Sequence, residues 1–86
     1  MNPLEDLLNE LKSKVADEDK EMAERLGKYS ADLFVRKLKG EDVDHELDGV
    51  KAVALNMSAV AIAKFEDTFS EWVQRWGKKL LVGVLP

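Results

Sequence analysis

The sequence contains no cysteine, so neither a disulfide framework nor a thiolate metal site can stabilise it, and nothing indicates an oxidising compartment. It is also short. A chain of 86 residues buries only about 60% of its unfolded surface when it folds alone. We therefore expect one domain, residues 1–86, that depends on close helix packing or on partner chains.

An excess of basic residues is absent too. Thirteen Lys and Arg stand against seventeen Asp and Glu, a net charge of -4. Non-specific affinity for nucleic acid comes from cations that neutralise phosphates, so we expect no nucleic-acid partner. The first fourteen residues carry carboxylates where a signal peptide would carry cations, and the expected location is cytoplasmic.

Long hydrophobic runs are missing as well. The most apolar stretch, AVALNMSAVAIA at residues 52–63, lies between Lys51 and Lys64 and is twelve residues long. A membrane-spanning helix needs roughly 20 apolar residues. This stretch is therefore too short to cross a bilayer.

The N-terminus carries the signals of a helix start. Asn2 suits the cap, Pro3 the first helical position and Glu5 the capping-box position. A leucine stripe follows at helical spacing, and we predict a helix over 3–16. Four carboxylates within 17–21 then favour a break with Asp17 as the next cap, although one continuous helix is the alternative.

Two longer helices are predicted downstream. The second covers 18–39 and ends at a turn in which Gly40 suits the left-handed position and Asp42 caps the next helix. From there apolar residues advance in steps of three and four, which predicts one helix over about 42–79. The apolar residues 80–86 would form a C-terminal arm.

A helix over 42–79 would be roughly 55 Å long, whereas a compact chain of this length has a radius of gyration of about 12 Å. Either it kinks, at Gly49 or Gly77, or it forms an elongated antiparallel hairpin covered by other chains. Residues 50–65 are apolar nearly all round the helix, which favours the second choice.

We therefore predict an all-α protein: a long antiparallel helical hairpin with a short N-terminal helix against it, in an oligomeric helical bundle. In the hairpin Phe34 would lie near Leu47, and Leu26 near Leu55. The first helix would lie near the aromatic stripe of the long helix, which comprises Phe65, Phe69, Trp72 and Trp76. The predicted subunit interface comprises Val50, Val53, Ala54, Met57, Val60, Ala61, Phe65, Phe69, Trp72, Trp76, Leu80, Leu81 and Val82.

Candidate chemical sites are weak. The acidic segment 41–48 alternates carboxylates as a calcium loop does, but the diagnostic Gly and Glu are replaced by Leu47 and Val53. Asp42 and His45 match a Glu-x-x-His pair only in substituted form. No serine stands in an interpretable relation to His45, the one histidine of the sequence. The glycines occur singly, so they form no phosphate-binding loop. We expect no metal, no cofactor and no enzymatic activity.

The C-terminal region admits two interpretations. Phe65, Phe69, Trp72 and Trp76 share one helix face, which is typical of a core or a subunit interface. The cations Arg75, Lys78 and Lys79 suit a helix C-terminus. Together with Trp72, Trp76 and the apolar tail, they would alternatively form a peripheral membrane anchor.

The segment ADLFVRKLKGEDVDHELDGVKAVALNMSAVAIA and its continuation, about residues 31–80, resembles the small helical proteins that bacteriophages encode near their particle-assembly genes. The shared pattern is a charged amphipathic helix, the turn at 40–42 and a long alanine-rich helix. The resemblance implies a structural or assembly role through homo-oligomers, with other structural proteins as further partners, and a place in a virus particle.

Overall fold

The protein is a bundle of four α-helices in a computed structural model that describes the backbone of residues 2–84 and the side chains of residues 2–80. The helices are α1 (Pro3–Lys14), α2 (Lys20–Leu38), α3 (Asp44–Ala54) and α4 (Ala59–Val84). A short 3₁₀ turn at Asp17–Asp19 precedes α2, and the described residues contain no strand. The predicted all-α class is confirmed.

The two ends of α1 have clear local causes. The Asn2 side chain accepts a hydrogen bond from the Glu5 amide at 2.8 Å, and Pro3 occupies the first turn. The helix ends where Val15 adopts an extended conformation. Asp17 was predicted to cap α2 but does not. Its carboxylate pairs with Lys20 at 2.8 Å, and this hydrogen bond lowers the pKa of Asp17.

The connection between α2 and α3 turns on Gly40, the one described residue with a positive φ, at 86°. Glycine adopts this conformation without steric cost. It lets the Glu41 amide donate back to the Arg36 carbonyl at 3.1 Å, which closes the helix end. The Asp42 carboxylate then accepts from the Asp44 amide at 3.0 Å, so α3 begins two residues later than predicted.

The predicted helix over 42–79 is two helices in the structure, because the chain turns at residues 55–58. Asn56 donates its side-chain amide to the Ala52 carbonyl at the end of α3. Ser58 accepts from the Ala61 amide at 3.1 Å, as the cap of α4. Neither Gly49 nor Gly77 forms a kink; each lies inside a helix.

The predicted arm over 80–86 also differs from the structure. The backbone of α4 continues to Val84, so residues 80–84 are helical, while residues 85–86 lie outside the described part. With 26 residues at about 1.5 Å each, α4 is about 39 Å long. It sets the longest dimension of the molecule, whose extents are 41 × 29 × 16 Å.

The turn at 55–58 replaces the elongated hairpin by a compact arrangement with a radius of gyration of 12.8 Å. α1 packs on α2, α4 lies against both, and α3 packs mainly on α2. The predicted pairing of Leu26 with Leu55 is wrong, because Leu55 is exposed in the turn. The core combines residues from α1, α2 and α4 with Val15 and Met57 beside them: Leu7, Leu11, Val15, Ala23, Leu26, Ala31, Met57, Ala61, Phe65 and Trp72.

At Gly27 the helix α2 lies in close contact with side chains of α1. A Cβ at this position would lie 2.7 Å from a methyl carbon of Leu11 and 3.2 Å from one of Leu8. Leu11 is fully buried, so it has little room to move. Gly77 in α4 differs, since the nearest atoms to a Cβ there are 3.8 Å away, an ordinary van der Waals distance.

Alanine at these two helical glycines should therefore act in opposite directions. Gly77→Ala is expected to stabilise the fold by about 0.5–1 kcal/mol, because alanine restricts the unfolded backbone. Gly27→Ala restricts the unfolded backbone in the same way, but it also displaces Leu11. Overpacking of this kind lowers the free energy of unfolding by about 1–3 kcal/mol. Urea unfolding of both variants provides the measurement, and an equal gain at both positions would contradict the close α1–α2 packing.

Thr68 provides a second stability test. Its side chain is fully buried in α4, and its hydroxyl has no hydrogen-bond partner among the described residues. We expect Thr68→Val to stabilise the fold by about 1 kcal/mol, because a buried unsatisfied polar group is removed while the shape is kept. Thr68→Ser is the matched control: it keeps the hydroxyl, loses a methyl group and should destabilise. A loss of stability in Thr68→Val would show that the hydroxyl is satisfied.

Candidate functional site

Two tryptophans of α4 attach α1 to the bundle. The indole N–H of Trp72 donates to the Pro3 carbonyl at 2.7 Å, and that of Trp76 donates to the Asp6 carboxylate at 2.7 Å. Trp72 is 1% exposed. A buried indole N–H needs an acceptor, so these bonds fix the position of α1 along α4.

Charged groups reinforce the same contact. Arg75 pairs with Glu10 and lies 3.4 Å from the Asp6 carboxylate. The hydrogen bond to Glu10 raises the pKa of Arg75, with the nearby carboxylates adding to it. Lys79 lies over the Trp76 ring, 4.8 Å from its centroid, as a cation–π contact. Arg75 and Lys79 thus meet acids and an aromatic ring of the same chain.

The aromatic stripe of α4 is part of the intramolecular core. Phe34 of α2 meets Trp72 at 5.9 Å and Phe69 at 6.5 Å between ring centroids, both edge-on. Phe65 stacks on Phe69 at 5.7 Å. These separations lie in the favourable range for aromatic pairs. The predicted partner of the stripe, the N-terminal helix, lies against its Trp72–Trp76 end.

The residues predicted to form a subunit interface divide into three groups. Most pack inside the single chain: Met57, Ala61, Phe65 and Trp72 are buried, and Val50, Val53, Ala54, Phe69, Trp76 and Leu80 lie against that core. Val60 is 65% exposed. The side chains of Leu81 and Val82 lie outside the described part of the chain. Much of the apolar surface assigned to oligomer contacts is therefore covered by the protein's own helices.

The two most exposed large apolar side chains that the structure describes lie at the junction of α3 and α4. Leu55 is 86% exposed, and Val60 follows at 65%. Exposed alanines flank it on both helices. We call this set the corner surface: Ala52, Leu55, Ala59, Val60 and Ala63.

A cluster centred on Arg36 fastens α3 to α2. Its guanidinium lies 2.9 Å from Glu46, 3.3 Å from Glu41 and 3.8 Å from Asp32. The hydrogen bond to Glu46, followed by that to Glu41, raises the pKa of Arg36, and the same bond lowers the pKa of Glu46. This cluster was not predicted from the sequence. Its one visible signal was opposite charge on the two sides of the Gly40 turn.

The acidic segment 41–48 has structural roles in this arrangement. Glu41 and Glu46 bind Arg36, and Asp42 accepts from a backbone amide. Among residues 2–80, no group of three or more His, Cys, Asp or Glu side chains is placed to hold a metal ion. No helix in the described part is long and apolar enough to cross a membrane.

A half-open cavity of about 420 Å³ lies between α2, α3 and α4. We call it the groove. Its walls are almost entirely apolar, and Lys37, Lys51 and Glu66 are its charged lining residues. Phe34 and Leu47, which the sequence predicted to be neighbours, both line it. The groove was not predicted from the sequence.

No family model, curated protein or solved structure matches the chain. Its geometry therefore has to support any functional proposal without help from relatives.

The Arg36 cluster predicts a pH dependence. Because the folded protein lowers the pKa of Glu46, this group stabilises the fold at neutral pH and loses that contribution as the pH falls through its folded pKa. Glu46→Gln should lower the melting temperature at pH 7, and the gap from wild type should narrow below about pH 4. Asp48→Asn, an equal charge change at an exposed position on α3, is the control. A gap that persists unchanged at pH 3 would contradict the ionic role of Glu46.

Proposed function

We propose that this protein is a non-enzymatic structural or assembly protein that acts as a helical homo-oligomer, joined through the corner surface. The observation that carries the proposal is Leu55, which is 86% exposed between two helices. Val60, 65% exposed, extends the apolar surface onto α4. Exposed apolar patches of this kind are typical of protein–protein contacts.

The shape of the corner surface suits self-association. Ala52, Ala59 and Ala63 have small side chains that allow close approach of another backbone, while Leu55 projects as a single large side chain. A two-fold dimer would place the corner of one copy against the same corner of the next, and such closed dimers are the commonest oligomers. Within residues 50–65, the predicted centre of the interface, the exposed side chains would then form the contact between the two copies.

The described charged clusters fit a structural role. Arg75, Asp6 and Glu10 join α4 to α1, and Arg36 with Glu46 joins α3 to α2. In each cluster the charged side chains form ion pairs that hold two helices together. The resemblance of residues 31–80 to phage assembly proteins extends the proposal to particle assembly, with other structural proteins as further partners.

A peripheral membrane anchor receives less support. It relied on Trp72 and Trp76 at a bilayer surface, but Trp72 is buried and both indoles donate hydrogen bonds to α1. Arg75 pairs with acids of α1. Trp72, Trp76 and Arg75 are thus held by α1. Among the described residues of the proposed anchor, this leaves Lys78 and Lys79 as exposed side chains that are not bonded to α1.

Light scattering after size exclusion, at micromolar concentration, tests the homo-oligomer. We expect a defined oligomer for the wild type and an increase of about tenfold or more in its dissociation constant for Leu55→Gln, because burying a leucine contributes about 1.5–3 kcal/mol. Leu4→Gln is the matched control, since Leu4 is a partly exposed leucine on α1. A monodisperse wild-type monomer would overturn the proposal, as would equal effects of both substitutions.

A further inference from the structure

We propose that the groove between α2, α3 and α4 is a binding site for a free single-chain anionic amphiphile of the alkyl carboxylate class. The alkyl chain would lie between the apolar walls, and the carboxylate beside Lys37 and Lys51. This site is separate from the corner surface and does not rest on self-association.

The walls of the groove suit an alkyl chain. Its volume of about 420 Å³ lies within the range of about 300–1,000 Å³ for small-molecule sites. Phe34 of α2, Val50 and Ala54 of α3, and Phe65 and Phe69 of α4 line it. An alkyl chain has no polar group for these walls to satisfy, so burial there removes apolar surface from water on both sides.

The groove persists because α3 is positioned mainly by α2. Arg36 holds Glu46 at 2.9 Å, and Tyr29 packs against Gly49 so closely that a Cβ there would lie 2.9 Å from the phenol oxygen. On the side of α3 that faces the groove, the small side chains Val50 and Ala54 form part of its wall. The groove is therefore maintained by contacts outside it.

The charges at the groove favour an anion. Lys37 and Lys51 both line it, and neither has a carboxylate within 4 Å among the residues described. Glu66 is the opposing charge. Two cations and one anion make this lining net positive in a chain whose net charge is -4. An anionic headgroup near the lysines and away from Glu66 is the complementary arrangement.

The size of the groove argues against a helix of a second copy as its occupant. One turn of α-helix is about 5.4 Å long and 10–12 Å across with its side chains, which corresponds to roughly 400–600 Å³. A docked helix would thus place at most one turn in the groove. A single alkyl chain is thinner and can enter along its length.

Isothermal titration calorimetry with octanoate, decanoate and dodecanoate, each below its micelle concentration, tests the site on the full chain. We expect saturable binding of one molecule per chain. The dissociation constant should fall about fourfold per added methylene, since each buried CH₂ contributes about 0.8 kcal/mol, until the groove is filled. Decanol should bind more weakly than decanoate. No saturable binding, or equal binding of decanol, would overturn the proposal.

Variants locate the site. Lys37→Gln and Lys51→Gln should each weaken decanoate binding by about two- to fivefold, and Glu66→Gln should strengthen it by a similar factor. Lys39→Gln removes an exposed lysine that does not line the groove and should leave binding unchanged. Equal effects at Lys37, Lys39 and Lys51 would mean non-specific attraction and would overturn the proposal.

Ala54→Leu fills the groove and should abolish binding while circular dichroism shows an unchanged helix content. Retained affinity in this folded variant would overturn the site. If the variant does not fold, the opposite effects of Lys51→Gln and Glu66→Gln decide. Anionic phospholipid vesicles form the final arm: vesicle binding that Ala54→Leu leaves intact, without binding of free decanoate, would assign the chemistry to a membrane surface and overturn the proposal.

Discussion

The hydrogen bond from the Trp72 indole to the Pro3 carbonyl is the constraint on which the bundle depends. Trp72 is the largest fully buried side chain, and its ring also meets Phe34 of α2. Three helices thus converge on one indole. Because the buried N–H has a single acceptor at 2.7 Å, α1 has little freedom to slide along α4 without leaving that group unsatisfied.

The fourth helix is attached differently. No residue within α3 is fully buried, and its main neighbour is α2, through the Arg36 cluster and the contact of Tyr29 with Gly49. Ion pairs and hydrogen bonds can hold a helix in place even where its apolar face is not packed against another helix. The groove and the exposed Leu55 both follow from this attachment, since α3 neither closes on α4 nor covers the turn that joins them.

The sequence predicted those features that depend on neighbouring residues. Asn2 and Pro3 mark the start of α1, and Gly40 marks the turn after α2. The break at 55–58 was missed because apolar residues keep helical spacing across it, so Asn56 and Ser58 looked like interior positions. Both residues act as caps in the structure. At this break the capping residues indicate the two helix ends, whereas the apolar periodicity does not.

The sites could not be predicted in this way, because they combine residues of separate helices. Of the aromatic face predicted to lie near α1, Trp72 and Trp76 contact that helix, but nothing in the sequence showed that Trp72 would be satisfied by a backbone carbonyl. Likewise, a cavity depends on how far α3 stands from α4, which is a property of the tertiary packing. The partial burial of residues 50–65 by the chain's own helices was not predicted, because one long helix left no other part of the chain to cover them.

The Trp72–Pro3 bond spans 69 positions, and the Trp76–Asp6 bond spans 70. At about 5–20 residues per second, a ribosome needs roughly 3–14 s to add the intervening residues. Leu7 and Leu11 belong to the same core as Trp72, so this core cannot be completed before α4 is made. α1 is therefore made well before the helix that fixes its position, and both indole contacts with it form only after residue 76 has been added.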